Sequence, residues 1–260
     1  MLTSIVYWLN SIAPVCRLPT FSKKAPARIA DGIRIYAIGD VHGRADLLQP
    51  LLERVRAHMR AHPTPRPLIV FLGDYIDRGP SSRQVIDQLI SLRETFEVIA
   101  LKGNHEHYLI EFLENPPSLT KWLRFGGLDT LHSYRVLPND HSDATEQELV
   151  AMSLSVALHQ SKHLTFFGDL KTSFTCGDFF FVHAGVRPGV ALDRQSEKDL
   201  LEIRNPFLLS KSNFGKTVVH GHTPVLEPDI RSNRINIDTG AYATGKLSCL
   251  IIERDELDFL

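Results

Sequence analysis

From Ile33 onward, short runs of β-branched and other apolar residues alternate with Gly/Asp-containing loops and with stretches whose apolar residues recur every three or four positions. This is α/β order. The runs Ile33 to Ile38, Leu68 to Leu72 and Val98 to Leu101 are nearly continuous in apolar character, which predicts strands covered on both faces. Between the first two, Leu47, Leu48, Leu51, Leu52, Val55 and Met59 mark one face of a helix, and Val85, Ile86, Leu89 and Leu92 mark another before the third strand. Both are expected to be crossover helices.

The pattern breaks from about Asn115 to Ser161, which opens with Pro116 and Pro117 and holds Trp122, Gly126, Gly127 and a helical stretch near Leu149 to Leu158. An inserted helical cap is predicted there. Afterwards Phe179 to Val182, Thr217 to Val219, Ile235 to Ile237 and Leu247 to Ile252 read as strands without long intervening helices, with a turn at Cys176 to Asp178. The expected fold class is α/β, an αββα sandwich of two mixed β-sheets flanked by helices. An N-terminal extension (1–30) precedes one domain (31–260) that carries the cap (115–161).

In the extension, Leu2, Ile5, Val6, Leu9 and Ile12 recur at helical spacing. The stripe is too short to span a bilayer and lacks a charged start, although Arg17, Lys23, Lys24 and Arg28 follow. Docking on protein surface is expected, with peripheral membrane contact through 2–12 the weaker alternative, because the polar face itself lacks Lys and Arg. At 260 residues, one α/β domain can bury a large core. Lys plus Arg (29) nearly balance Asp plus Glu (30), so no global positive field recruits nucleic acid and any anionic ligand is drawn by local charge. Cys16, Cys176 and Cys249 are widely separated, which argues against a disulfide framework or thiolate zinc site and suits a reducing cytoplasm.

Five polar clusters directly follow predicted strands: Gly39-Asp40-Val41-His42-Gly43, Gly73-Asp74-Tyr75-Ile76-Asp77-Arg78-Gly79, Gly103-Asn104-His105-Glu106, His183-Ala184-Gly185 and Gly221-His222-Thr223. Strand carboxyl ends open into one crevice in α/β sheets, so these clusters can converge on one ligand. Asp, His and Asn together suit first-row divalent metals better than an all-oxygen set would. Taken singly, each cluster reads more readily as a turn or cap. In this order they resemble the calcineurin-like metallophosphoesterases, and specifically their serine/threonine phosphoprotein phosphatase branch of bacterial type, over about Ile33 to Ile252.

The resemblance implies one metal held by Asp40, His42 and Asp74, and a second by Asp74, Asn104, His183 and His222, with Asp74 bridging. Manganese is the first expectation, with iron or zinc compatible. Two close dications lower the pKa of a shared water and supply hydroxide for direct attack on phosphorus. Arg78 and Arg204 are implied to bind phosphate, with Arg44 and Arg187 as secondary candidates; a surface salt bridge is the alternative for Arg204. His105 is implied to be the general acid, oriented by Asp77, whose alternative is a helix cap. His58, His62, His132, His141, His159 and His163 carry no matching motif. His107 and His220 are expected to support neighbouring ligands, and Asp238 is a candidate to orient one.

The implied activity is a dinuclear metal-dependent hydrolysis of phosphoproteins, at phosphoserine or phosphothreonine; the alternative is a dinucleoside tetraphosphate hydrolase on the same fold. A non-catalytic metal-binding regulator is disfavoured, because every position is filled by a competent residue. The cap decides between the two enzymes. Its aromatics Trp122, Phe125 and Tyr134 have the spacing of core anchors, and its acids outnumber Lys121, Arg124 and Arg135. A stacking surface for bases is therefore not expected, and phosphopeptides are preferred. The Ser-Ala-Pro-Asn-Tyr segment of the eukaryotic enzymes is absent.

Overall fold

The computed structural model describes residues 23–24, 27–137 and 143–260, so the stripe over 2–12, Cys16 and His141 lie outside the described residues. The first half runs β1 (Lys23–Lys24), β2 (Ile33–Ile38), α1 (Ala45–Ala61), β3 (Arg66–Phe71), α2 (Ser82–Arg93), β4 (Glu97–Ala100) and α3 (Asn104–Glu114). The insertion supplies α4 (Leu119–Leu123), α5 (Gly127–Ser133) and α6 (Ala144–Gln160), and α7 (His163–Gly168) follows it. The second half holds β5 (Ser173–Cys176), β6 (Phe179–Val182), α8 (Glu197–Glu202), α9 (Asn205–Leu208), β7 (Thr217–His220), β8 (Asp229–Ile230), β9 (Arg234–Asn236), α10 (Ala241–Thr244), β10 (Cys249–Glu253) and β11 (Glu256–Phe259).

Among the described residues these strands form two mixed sheets, in the orders β1-β11-β10-β2-β3-β4 and β5-β6-β7-β9-β8. Strands β2, β3 and β4 run parallel, as do β6, β7 and β9, while β1, β11 and β10 pair antiparallel in the first sheet and β5 and β8 close the two edges of the second antiparallel. Because strand side chains alternate, each run serves two layers. Ile35, Ala37, Leu68, Val70, Leu250 and Ile252 face Phe179, Phe181, Val219 and Ile235 of the other sheet. Their neighbours Tyr36, Ile38, Ile69, Phe71 and Ile251 turn outward to α1, α2 and α3. Phe180, Val182 and Val218 turn to the opposite side, against Leu200, Ile203 and Phe207. The result is an αββα sandwich, which explains why the predicted runs are almost wholly apolar. Truncating a fully buried ring such as Phe181 to alanine would cost about 3–5 kcal/mol.

Two details differ from the sequence pattern. Ala27 and Ile29 are buried in the core between the sheets, so the chain joins the fold ahead of residue 31. The helices of 115–161 also share the core of α1–α3 through Leu119, Trp122, Leu131, Tyr134, Val150 and Leu154. The insertion thickens the outer helix layer, and its Trp122-to-Thr130 segment is the part that meets Asp77 and Arg78 in the loop after β3. No described helix is long and apolar enough to cross a membrane.

Candidate metal centre and phosphate site

The carboxyl ends of β2, β3, β4, β6, β7 and β9 deliver their loops to one edge of the sandwich. The first two loops are laced by backbone bonds, with His42 N and Val41 N donating to the Asp74 carbonyl at 2.8 and 3.0 Å and Gly43 N to the Tyr75 carbonyl at 2.8 Å. His42, Asp74, Asp77 and Arg78 in these loops, and His222 in the loop after β7, sit at φ between +46° and +70°. Left-handed non-glycine residues cost about 1–3 kcal/mol each and gather at functional sites. Close approach demands two glycines: a Cβ on Gly221 would strike Asp40 Oδ1, and one on Gly103 would strike Asp74 Oδ1.

The polar atoms at the centre are arranged for a cation. His183 Nδ1 lies 2.9 Å from the Leu72 carbonyl and must donate to it, which leaves Nε2 as a bare acceptor in the neutral ring. That nitrogen faces other acceptors: Asn104 Oδ1 at 2.9 Å and Asp74 Oδ1 at 3.4 Å, with His222 Nδ1 at 3.2 Å. In the same way His42 Nδ1 donates to the Ile76 carbonyl at 3.0 Å, freeing Nε2, which lies 3.5 Å from Asp74 Oδ2. Asp40 Oδ1 and His222 Nε2 are buried without partners. Such orphans cost about 1–3 kcal/mol each unless something binds them. His42, Asp74 and His105 form one group able to hold a metal ion, and Asp74, His183 and His222 form a second that shares Asp74. Asp40 stands beside them, its Oδ2 accepting from His222 N at 3.0 Å. Residues and chemistry therefore fit a divalent metal pair.

Electrostatics agree. Burial pushes His42 down to about 3 and His222 to about 2, keeping both rings neutral with lone pairs that a metal ion could use. Burial opposes charge on Asp74 as well, but the surrounding histidines, His183 foremost, hold its carboxyl below the usual range. Burial and then the charges of Asp238 and Asp74 push Asp40 up. Nothing among the described residues compensates that carboxylate as a dication would.

His105 is fully buried, and its Nδ1 donates to Asp77 Oδ2 at 2.7 Å. Burial disfavours its cation, yet Asp74 and Asp77 outweigh that and raise its pKa above the ordinary value. Asp77 does not cap α2. Its carboxylate accepts from Trp122 Nε1 at 2.9 Å and Thr130 Oγ1 at 2.6 Å. Arg78 donates to His42 Nε2 at 3.3 Å and His105 Nε2 at 3.1 Å. It can do so only while those nitrogens are unprotonated.

The other arginines separate. Arg204 is exposed at the start of α9, donates to Thr223 Oγ1 at 3.2 Å beside His222, and has no ion pair among the described residues. Arg44 spends its guanidinium on Asp46, at 2.8 and 2.7 Å, and on the Ala241 carbonyl at 2.8 Å. Arg187 is engaged by Asp199 through both Nε and Nη2, at 2.8 and 2.5 Å. Asp238 turns its carboxylate to Gly240 N at 2.8 Å, and His220 bonds the Gly221 carbonyl at 3.1 Å. Neither bonds a ligand histidine. Away from the centre, His163 is satisfied by Tyr134 at 2.6 Å and Asp87 at 2.9 Å, and His58 by Tyr36 at 2.9 Å.

Three contributors carry no obvious sequence signal of their role. Glu106, the last residue of the Gly103-Asn104-His105-Glu106 run, accepts from Asp74 N, Gly103 N and Tyr75 N at 2.8–2.9 Å and so ties two ligand loops together. Burial and the Asp74 charge push it up to about 8 against the pull of those donors; with both oxygens accepting, the geometry is that of a carboxylate. Its spacing three residues after Gly103, as in a capping box, is the available clue. Tyr242 lies under the Arg78 guanidinium, 4.7 Å from ring centroid to Cζ, and meets the His42 ring edge-on at 5.3 Å between centroids. Phe125 stacks on Tyr108 at 4.7 Å and presents to the His105 ring at 6.2 Å.

Comparison with known proteins matches this arrangement. The family model described as calcineurin-like phosphoesterase matches residues 33–251. An asymmetrical bis(5'-nucleosyl)-tetraphosphatase, PrpE, of Bacillus cereus is 29% identical over 82% of this chain and 88% of its own. The chain also resembles a solved structure described as a candidate diadenosine tetraphosphatase, with TM-score 0.59 and 18% identity over 90% of this chain and 97% of the other. A cold-active protein-tyrosine phosphatase of a psychrophilic Shewanella has TM-score 0.55 and 17% identity over 88% and 80%. These two structural likenesses speak for the fold alone.

Proposed function

The chain belongs to the calcineurin-like phosphoesterase family, and within it we propose that the protein is a dinucleoside tetraphosphate hydrolase. The coarser activity, metal-dependent phosphoesterase, follows from the family and from the metal-competent clusters that share Asp74. The observation that carries the finer reading is an aromatic rim beside the phosphate site. Tyr242 (38% exposed) and Phe125 (37% exposed) both flank catalytic side chains and offer partly open rings, which a base can use and a bare phosphoryl group cannot. The composition of the insertion suggested no stacking surface, but Phe125 is not a core anchor, whereas Trp122 and Tyr134 are. The activity named for the Bacillus relatives points the same way.

In this reading Asp40, His42 and Asp74 hold one divalent ion, and Asp74, Asn104, His183 and His222 the other, with manganese the first candidate and iron or zinc compatible. Bound there, the ions supply an activated water and positive charge against phosphate oxygens. Arg78 and Arg204 donate to the phosphate chain, where guanidinium forks match phosphate oxygens. His105 gives its proton to the leaving oxygen and Asp77 keeps the ring aimed. A proton on His105 Nε2 displaces the Arg78 donor from that nitrogen, so protonation of the acid and the turn of Arg78 toward phosphate go together. Arg44 and Arg187, held by Asp46 and Asp199, contribute potential rather than contacts.

A serine/threonine phosphoprotein phosphatase is the second reading, favoured by the buried His105–Asp77 pair. A serine alkoxide is far more basic than a phosphate leaving group and needs that proton more. Incubating manganese-supplied protein with diadenosine tetraphosphate and separating the nucleotides by anion exchange tests the first reading. Unequal nucleotide products are expected. Failure to consume the dinucleotide would overturn it.

A further inference from the structure

We infer that Phe125, backed by Tyr108, is the stacking platform for the base of the leaving nucleotide; this rests on the dinucleotide reading above. An exposed phenylalanine alone means little, since apolar atoms make up much of any surface. Three anchors set this one apart. Tyr108 covers one face of the ring at 4.7 Å and an interplanar angle of 25°, so the open area of Phe125 belongs to its other face and outer edge. Tyr108 is itself fixed, its hydroxyl donating to Glu202 at 2.7 Å and Lys121 Nζ lying 4.6 Å from its ring centroid.

The chain on either side of Phe125 is tied to the reacting groups. Trp122, three residues before, donates to Asp77. Gly126, immediately after, accepts from Arg78 N at 3.3 Å and sits at φ +99°, and a Cβ there would lie 2.8 Å from Arg78 N. The ring is thus held relative to Asp77 and Arg78 rather than carried on a free loop.

Position selects the leaving nucleotide over the other one. The oxygen that departs must lie within reach of His105 Nε2, and Phe125 is 6.2 Å from His105 centroid to centroid in an edge-on arrangement. Tyr242, by contrast, contacts His42 and Arg78, and one of its faces is taken by the guanidinium. A nucleoside phosphate leaving on the His105 side therefore meets the free face of Phe125, adding a third ring to the Phe125–Tyr108 pair. Stacking of a base on an aromatic side chain tolerates any base, so the platform selects for a nucleotide without selecting its identity.

The test uses metal-loaded full-length protein. Dissociation constants for adenosine 5'-monophosphate and for inorganic phosphate are measured by calorimetry in the wild type, Phe125→Ala and Phe125→Trp, alongside wild-type turnover of diadenosine tetraphosphate. Phe125→Ala is expected to weaken the monophosphate about tenfold relative to inorganic phosphate, and Phe125→Trp to restore it. Equal weakening of both ligands, or of neither, in a wild type that cleaves the dinucleotide would overturn the platform alone. A wild type inert on the dinucleotide would overturn the substrate reading on which it rests.

Discussion

The carboxylate of Asp77 and the imidazole of His105 meet at 2.7 Å with both side chains wholly buried. Trp122 and Thr130 hold the carboxylate from its other sides, so the pair is pre-set before substrate arrives. If His105 donates a proton in the reaction, His105→Asn should lower kcat about 100-fold or more on an ester with a basic leaving group while metal content stays near that of the wild type. The loss should shrink with an acidic aryl leaving group. Equal losses on both esters, measured by steady-state kinetics, would contradict the acid role.

Gly221 leaves no room for a side chain, because its Cβ would collide with Asp40 Oδ1. The atom it meets is a side-chain oxygen of a buried carboxylate, so it is the Asp40 side chain that has to give way. Gly221→Ala should therefore displace Asp40 and reduce bound metal, at a folding cost of about 1–3 kcal/mol. Elemental analysis after desalting reads the first effect and thermal melting the second. Full metal occupancy in the variant would show that Asp40 is not a ligand.

Glu106 offers a sharper test of how the loops are held. Its Oε1 accepts from Tyr75 N, and its Oε2 accepts from both Asp74 N and Gly103 N. In Glu106→Gln, either orientation of the amide turns an NH2 group toward a backbone N–H. At least one buried donor, Tyr75 N or else Asp74 N and Gly103 N together, is left without an acceptor, which costs about 1–3 kcal/mol. For a chain of this size a fall in Tm of about 2–10 °C is expected. An unchanged Tm would mean that Glu106 is protonated in the native protein and that its bonds are dispensable.

Much of the fold is legible because its inner strands are buried on both faces. Ile33 to Ile38 and Phe179 to Val182 coincide with β2 and β6, since a run that is apolar at all or nearly all positions is buried on both faces of a sheet. The edge strands β5 and β8, and β11 beside the two-residue β1, mix polar and apolar residues, and become strands only when a neighbour offers its backbone. In the site, residues that touch one another through motif loops are readable, as Asp40, His42, Asp74, Asn104, His183 and His222 show. Residues whose part depends on a distant partner are not. Tyr242 has meaning because Arg78 lies over it, and Phe125 because Tyr108 backs it and His105 lies at its edge. Helical periodicity in the insertion indicated helices but not which of their side chains would reach the catalytic loops.

The substrate claim is tested most directly by competition. Manganese-supplied protein is given diadenosine tetraphosphate together with phosphoserine, phosphothreonine and phosphotyrosine peptides, and kcat/KM is taken from the initial rates. The account predicts a value for the dinucleotide at least about tenfold above that for every peptide, the margin that one stacked base supplies. A phosphoserine or phosphothreonine peptide turned over more efficiently than the dinucleotide would contradict it and make the protein a phosphoprotein phosphatase.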